Sequence, residues 1–457
     1  MATKLLTTIL VSLLVSCALG ERYQGRLTEA QQCRLQRLAA TQPSQRIRHE
    51  GGVTEMWDDN DDQFQCAGVS AVRNILEPNS LSLPNFQPMP RMVYIEKGQG
   101  LISVVYPGCA ETYHSQQTGP RGQQQEGQQT GQRSDRDLHQ KVNRILQGDI
   151  IALPAGAAHW CFNDGDEELV AISVSDINHQ NNQLDQQPRQ FYLAGSLPRQ
   201  SQSQIGSQKE SQLREKFQNM FNAFDSQMLA EALNVPREVV RRMQNVDDRG
   251  LIVKVRRGMA MIRPDEEEEP FRLPNGLEEG FCTMKIRQNL DNIKEADVYS
   301  RQAGRLVQVN MQKLPILRSM DMSAEKGELY PNAVYTPHWN AHGHTVVYVT
   351  QGEARVQVVS HNGQNVMDSR VTRGEMFVIP QFFASMLKAG NNGCQFVAMK
   401  TTSLPMKSPL AGYTSVFRAM PDQVIAESYQ VSPSQAQDLK YNRLHQTLFM
   451  PPTQRSS

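Results

Sequence analysis

Apolar and polar positions along this 457-residue chain fall into a pattern that occurs twice. Short runs of β-branched and aromatic residues are closed by glycine or proline, as strands and tight turns require. RMVYIEKGQGLISVVYPG reads as a hairpin around Gly98 and Gly100. GDIIALPAGAAHWCFN, Gly148 to Asn163, reads as strand, turn and strand with His159 aimed inward. Further on, HTVVYVTQGEARVQVVS, His344 to Ser360, reads as strand, turn at Gly352, strand. RGEMFVIPQFFASML, Arg373 to Leu387, then repeats the Gly148-to-Pro154 spacing from Gly374 to Pro380, with Phe382 and Ser385 in place of Gly156 and His159. Helical periodicity follows each block. Phe217, Phe221, Phe224, Met228, Leu229 and Leu233 recur at three- and four-residue steps, and Pro236 breaks or restarts the helix. The stretch from Ser415 to Arg443 resembles it, with Val431 and Pro433 echoing Val235 and Pro236. The predicted fold is mainly β, two tandem barrels each followed by a helical extension; closing a sheet removes exposed strand edges.

Three tracts interrupt the pattern, at about 115–137, 199–212 and 247–275. Their polar composition cannot offset the entropy of ordering, so surface loops are expected. The acidic run Asp265 to Glu269 reads as a solvated charge run. Asn275 and Gly276 follow it on a segment expected to be open to proteases. A prior of about one domain per 150 residues would give roughly three domains, but with these tracts set aside two globular units remain. At the start, a lysine at Lys4, an apolar run from Leu5 to Val15 and small residues at Ala18 to Gly20 describe a secretory signal over 1–20. That run is too short to span a bilayer, and no membrane partner is expected. Of seven cysteines, Cys17 leaves with the signal. The oxidising compartment makes pairing plausible for the remainder, though their spacing fixes no connectivity. With 47 basic and 47 acidic residues, nothing draws the chain to nucleic acid.

The block from Gly148 follows the spacing G-x5-P-x-G-x2-H-x3-N at Gly148, Pro154, Gly156, His159 and Asn163. This is the second cupin motif, and with the tandem arrangement and NGLEEGFC (Asn275 to Cys282) the chain resembles a legumin-type 11S seed storage globulin, a bicupin. The resemblance implies two double-stranded β-helix (jelly-roll) barrels and a precursor cut between Asn275 and Gly276 by an asparaginyl endopeptidase. An acidic chain of 21–275 with the N-terminal cupin domain and a basic chain of 276–457 with the C-terminal one would result. Gly280 departs from the residue the family commonly carries after NGLEE. The resemblance further implies disulfides Cys33–Cys66 and Cys109–Cys282, with Cys161 and Cys394 free in apolar cores. It also implies self-assembly as trimers and then hexamers, delivery through the secretory pathway to seed protein storage vacuoles, and frequent allergenicity. Residues after Asn275 include 18 basic and 14 acidic, leaving the remainder with the opposite excess.

A catalytic cupin needs two histidines and a glutamate on one strand pair and a further histidine, because an open metal site wants several inward N or O ligands. In the first block His159 supplies only the last of these, and Arg91 falls near the glutamate position. The second block offers His338, His342 and His344, but Thr345 falls at the glutamate position and Ser385 at the fourth ligand. His159 is therefore read as a core imidazole, and the three later histidines as part of a solvated loop. No cofactor and no resident metal are expected, although the histidine cluster leaves room for a weakly held divalent ion. There is no G-x-S-x-G elbow and no phosphate-binding glycine loop. Glutamine- and arginine-rich tracts outside the core store reduced nitrogen, and a nutrient reservoir for germination is the expected function. A metal-dependent cupin enzyme of the oxalate oxidase type is the alternative, and a carbohydrate- or lipid-binding barrel a third.

Overall fold

In the computed structural model, residues 35–452 are described, except 112, 115–137, 186, 197–216, 245–248, 257–258, 260–281, 283 and 444. The signal segment, Cys33, Asn275 and Gly276, and most of the three polar tracts lie outside the described residues. Two β-barrels follow one another. The first packs a seven-stranded sheet, in which Val69–Leu76, Leu169–Asp176, Arg91–Lys97 and Asp149–Leu153 are central, against a six-stranded one containing Ser80–Phe86, Ala158–Asn163 and Gln99–Val105. The ladders between these strands are antiparallel, and the alternation of side chains sends one face of each sheet into the barrel. Gly98 makes the predicted tight turn, with φ at 83°. In the second barrel the counterpart is one long bent strand, Thr345–Val359. Gly352, with φ at 71°, sits there at register shifts rather than at a turn between two strands, because a Cβ would lie 2.2 Å from the Gly393 carbonyl oxygen.

The helical extensions are shorter than the periodicity predicts. Asp225 accepts from the amides of Gln227 and Met228 and starts a helix only at Ser226–Leu233; Asn234 ends it in the left-handed conformation. Phe217, Phe221 and Phe224 therefore precede the helix, the last two in or beside the 3₁₀ turn Met220–Ala223. Phe217 packs on Tyr192, with ring centroids 5.7 Å apart. Beyond Pro236 a second helix, Arg237–Gln244, begins. The second extension comprises Val416–Ala419, Asp422–Tyr429 and Pro433–Tyr441, the last opened by a Ser432–Gln435 capping box with proline in its first turn.

Each barrel takes up part of the segment that precedes the other. Residues 35–42, upstream of the first barrel, lie on the second: Leu38 donates to the Val366 carbonyl (2.8 Å), and Thr41 and Met376 exchange two backbone bonds of 2.9 Å. Reciprocally Arg287–Asn289, upstream of the second barrel, pairs with Asp149–Leu153 of the first. The two insertions occupy matching places, since Gly148 and Gly374 both have positive φ and each lies against the incoming segment, Asp291 in one case and Gln42 in the other. Between the barrels a single apolar cluster runs from Trp57, Tyr94 and Ile150 to Val346, Tyr348 and Met376. Its polar edge is satisfied by Lys326, which donates to Tyr94 (2.9 Å) and pairs with Asp291, and by Tyr348, which donates to Glu96 (3.0 Å).

Candidate functional site

The five cupin-motif residues come together in the first barrel, and most of them have a structural task. Gly148 accepts the incoming strand: its carbonyl takes the Leu290 amide at 2.8 Å. Gly156 supplies a positive φ of 76° in the turn after Pro154. Asn163 is wholly buried and closes the hairpin end, donating to the carbonyls of Leu76 (2.9 Å) and Glu167 (2.8 Å) while accepting from the Gly165 amide (2.9 Å). His159 is buried opposite Asn85, with its Nδ1 3.4 Å from the Ala157 carbonyl. Burial, then the nearby Arg91, lower its pKa to about 4, so the imidazole is neutral at ordinary pH.

Arg91 is the group that decides what this interior can hold. Its Nε donates to Ser175 Oγ (3.1 Å) and its Nη2 to Gln87 Oε1 (2.5 Å), and burial lowers its pKa to about 10. A guanidinium at the expected glutamate position replaces a cation's ligand with a cation. The second barrel repeats the substitution with different residues. Register superposes the two sites: Arg91 faces Ser175 in one, Thr345 faces Lys400 in the other, and the His159–Asn85 pair matches Ser385–His338. Gly156 donates to the Gln87 carbonyl as Phe382 does to that of Asn340, which aligns those positions too.

Lys400 is fully buried and bonded to Thr345 Oγ1 (3.2 Å), Asn340 Oδ1 (3.5 Å) and Glu325 (3.4 Å). Glu325 also pairs with Lys407 and accepts from Gln308 (3.3 Å). Burial alone would raise the Glu325 pKa, but Lys400 and Lys407 outweigh it and hold the carboxyl at about 2. Burial takes Lys400 down to about 8 against the pull of Glu325. His338 stacks on Tyr335 at 4.3 Å, and its Nδ1 is 2.8 Å from the Thr336 carbonyl. Ser385 Oγ, at the place of His159, is buried without a hydrogen-bond partner among the described residues.

The three later histidines do not converge. His338 lies on strand Val334–Asn340 inside the barrel, not in a solvated loop. His344 accepts from the Gln381 amide (3.3 Å), and burial lowers its pKa to about 4. Only His342 is exposed, its Nδ1 3.2 Å from the Leu404 carbonyl. Among the described residues no three His, Cys, Asp or Glu side chains are grouped to hold a metal ion. Reading by motif missed Glu325, Lys400 and Lys407; a lysine at Lys400, at the end of the apolar run CQFVAMK, was the available signal.

The cysteines follow the implied pattern where they are described. Cys109 and Cys282 form a disulfide with Cα atoms 5.5 Å apart. Cys66 is disulfide-bonded, and Cys33, its implied partner, is outside the described residues. Cys161 and Cys394 are free, their thiols pushed up to about 12 chiefly by burial.

Two jelly-roll barrels with these matched interiors define a bicupin, and the family model described as Cupin matches residues 38–204 and 288–437. Over 465 residues and the whole of both chains, the sequence is 57% identical to 11S globulin seed storage protein 2 of Sesamum indicum. Among solved structures, procruciferin, the 11S globulin of Brassica napus, superposes with a TM-score of 0.80 at 37% identity, covering 92% of this chain and 99% of that one. The coconut allergen cocosin gives 0.80 at 38% identity, covering 92% and 100%. The chain belongs to the legumin-type 11S globulins, and seed storage is its function.

Proposed function

We propose that the chain acts as a nutrient reservoir without an enzymatic activity of its own. The observation that carries this reading is a buried cation in the interior of both barrels: Arg91 at the glutamate position itself in the first, and Lys400 across from Thr345, which holds that position, in the second. A buried guanidinium or ammonium disfavours a divalent ion by like-charge repulsion in a low dielectric. Elemental analysis of the purified protein tests it. The expected result is less than stoichiometric transition metal; one manganese or iron per barrel, lost on replacing His159 or His338, would establish the oxalate oxidase-type alternative.

The reading extends to biogenesis. The precursor enters the secretory pathway by its first 20 residues and is stored in seed vacuoles after an asparaginyl endopeptidase cuts between Asn275 and Gly276. An acidic chain, 21–275, and a basic chain, 276–457, then stay joined through Cys109 and Cys282. Precursor trimers and processed hexamers are supported by the apolar side chains that the extensions leave in water. Phe224 is 54% exposed, Met228 71% and Tyr429 55%. Val424 belongs to this surface, whereas its neighbour Ile425 is fully buried within the protomer. Denaturing electrophoresis is the check: the mature protein should run as one band without reductant and as two with it. A single band under both conditions would refute the cut.

A further inference from the structure

The second barrel shows how this fold neutralises a buried cation, and the first lacks the same device. Glu325 sits on Ser323–Leu329 opposite Ala398, two residues from the Ser323–Lys400 pair. The matching pair in the first barrel is Ser70–Ser175, and two residues on, opposite Ser173, stands Val72. Where the second barrel places a carboxylate, the first places an isopropyl group. Arg91 meanwhile retains its charge behind neutral partners only, the Ser175 hydroxyl and the Gln87 amide. The hydrogen bonds it makes to described side chains leave from Nε and Nη2, and the residue as a whole is 8% exposed. His159 beside it is neutral, and the Tyr192 phenol near it is held protonated by burial. A buried charge facing only neutral groups leaves a large part of its desolvation cost unrecovered. A guanidinium fork matches a carboxylate in shape and charge better than any other common anion.

We propose that the first barrel binds a small organic carboxylate on the Arg91 guanidinium, in the role that Glu325 fills for the cation of the second barrel. The site is built from Arg91, Gln87 and Ser175 with His159 alongside, and it is separate from the storage role, which neither outcome of the test touches. No bond is made or broken in the ligand; the interaction is an ion pair with two parallel N–H donors.

Formate is the probe, titrated into the full chain by calorimetry and by thermal melting, with sodium chloride keeping ionic strength constant. The expected result is saturable binding and a rise in melting temperature that chloride does not reproduce. Arg91→Met should weaken formate binding at least about tenfold. Val72→Glu keeps the guanidinium and supplies the carboxylate internally, so it should abolish the formate response while the variant remains folded; it decides the matter if Arg91→Met does not fold. A wild-type protein indifferent to formate, an equal effect of chloride, or an undiminished response in either variant would overturn the proposal.

Discussion

Glu325 is the side chain on which the second barrel's interior depends, because among the described residues it is the carboxylate that pairs with two buried ammonium groups. Removing one partner of a buried ion pair leaves an uncompensated charge, at a cost of about 3–5 kcal/mol. Glu325→Gln should therefore lower the stability of the folded protein by about that amount at neutral pH, measured by denaturant unfolding. The pH dependence has a definite sign. A carboxyl held at about 2 when folded, against an ordinary value of 4.5, contributes stability that is complete above 4.5 and lost as pH falls through 2. The difference between wild type and Glu325→Gln should shrink over that window. Buried imidazoles act earlier on the same descent. His159 and His338 have folded pKa values of about 4 against 6.5, so the unfolded chain binds more protons between these values and stability falls from pH 6.5 to pH 4. A wild-type protein whose unfolding midpoint stayed constant from pH 7 to pH 4 would contradict this assignment.

At the scale of elements, the barrels are joined by exchanged segments as well as by the disulfide. The bond between Cys109 and Cys282 spans 173 residues, yet Arg287–Asn289 and residues 35–42 already stitch each chain into the other's sheet. If the precursor is cut as proposed, reduction without denaturant should leave the two resulting chains co-eluting on a sizing column; separation by reductant alone would show that the exchanged segments carry little. Gly148→Ala probes one insertion directly, since its φ is 87° and a Cβ would lie 2.3 Å from Asp291 Oδ2. A loss of about 1–3 kcal/mol is expected on thermal unfolding, from the left-handed conformation and the displaced strand together. The repeat and both barrels were legible in the sequence because strand alternation and the Gly-to-Pro spacing are local signals. The exchange was not, because residues 35–42 and 287–289 are brief and pair with partners hundreds of positions or a whole domain away. The helices were overcalled for a related reason: the Phe217-to-Leu233 periodicity is genuine, but Asp225 and Asn234 cap a shorter segment within it. In the interiors the missing ligands could be counted from the motif, and Arg91 was found that way. Lys400 and Glu325 were hidden because two residues on different strands meet only through register, which no motif spacing records.

For the whole molecule, the exchanged segments determine what a cut at Asn275 could and could not do. Both sheets are complete without a covalent link between 259 and 282, since Met259 packs on the first barrel's smaller apolar cluster and Cys282 is tied to Cys109. Cleavage within that interval leaves the protomer's barrels intact, so its consequence must lie at the surface. After the cut, the new terminus at Gly276 stays within a few residues of its disulfide. The acidic side, residues 260–275, follows Met259 in the chain and carries five acidic residues against two basic ones. A stretch of sixteen residues can reach up to ~50 Å when extended, so a released end has a wide range of positions open to it. The hypothesis is that this acidic end opposes the approach of a second trimer until the cut frees it. Asn275→Ala should then remain trimeric in analytical ultracentrifugation after exposure to the processing protease, while its melting temperature stays within about 2 °C of the wild-type precursor because no core contact changes. Hexamers of the uncut variant, formed at the wild-type rate, would sink the hypothesis.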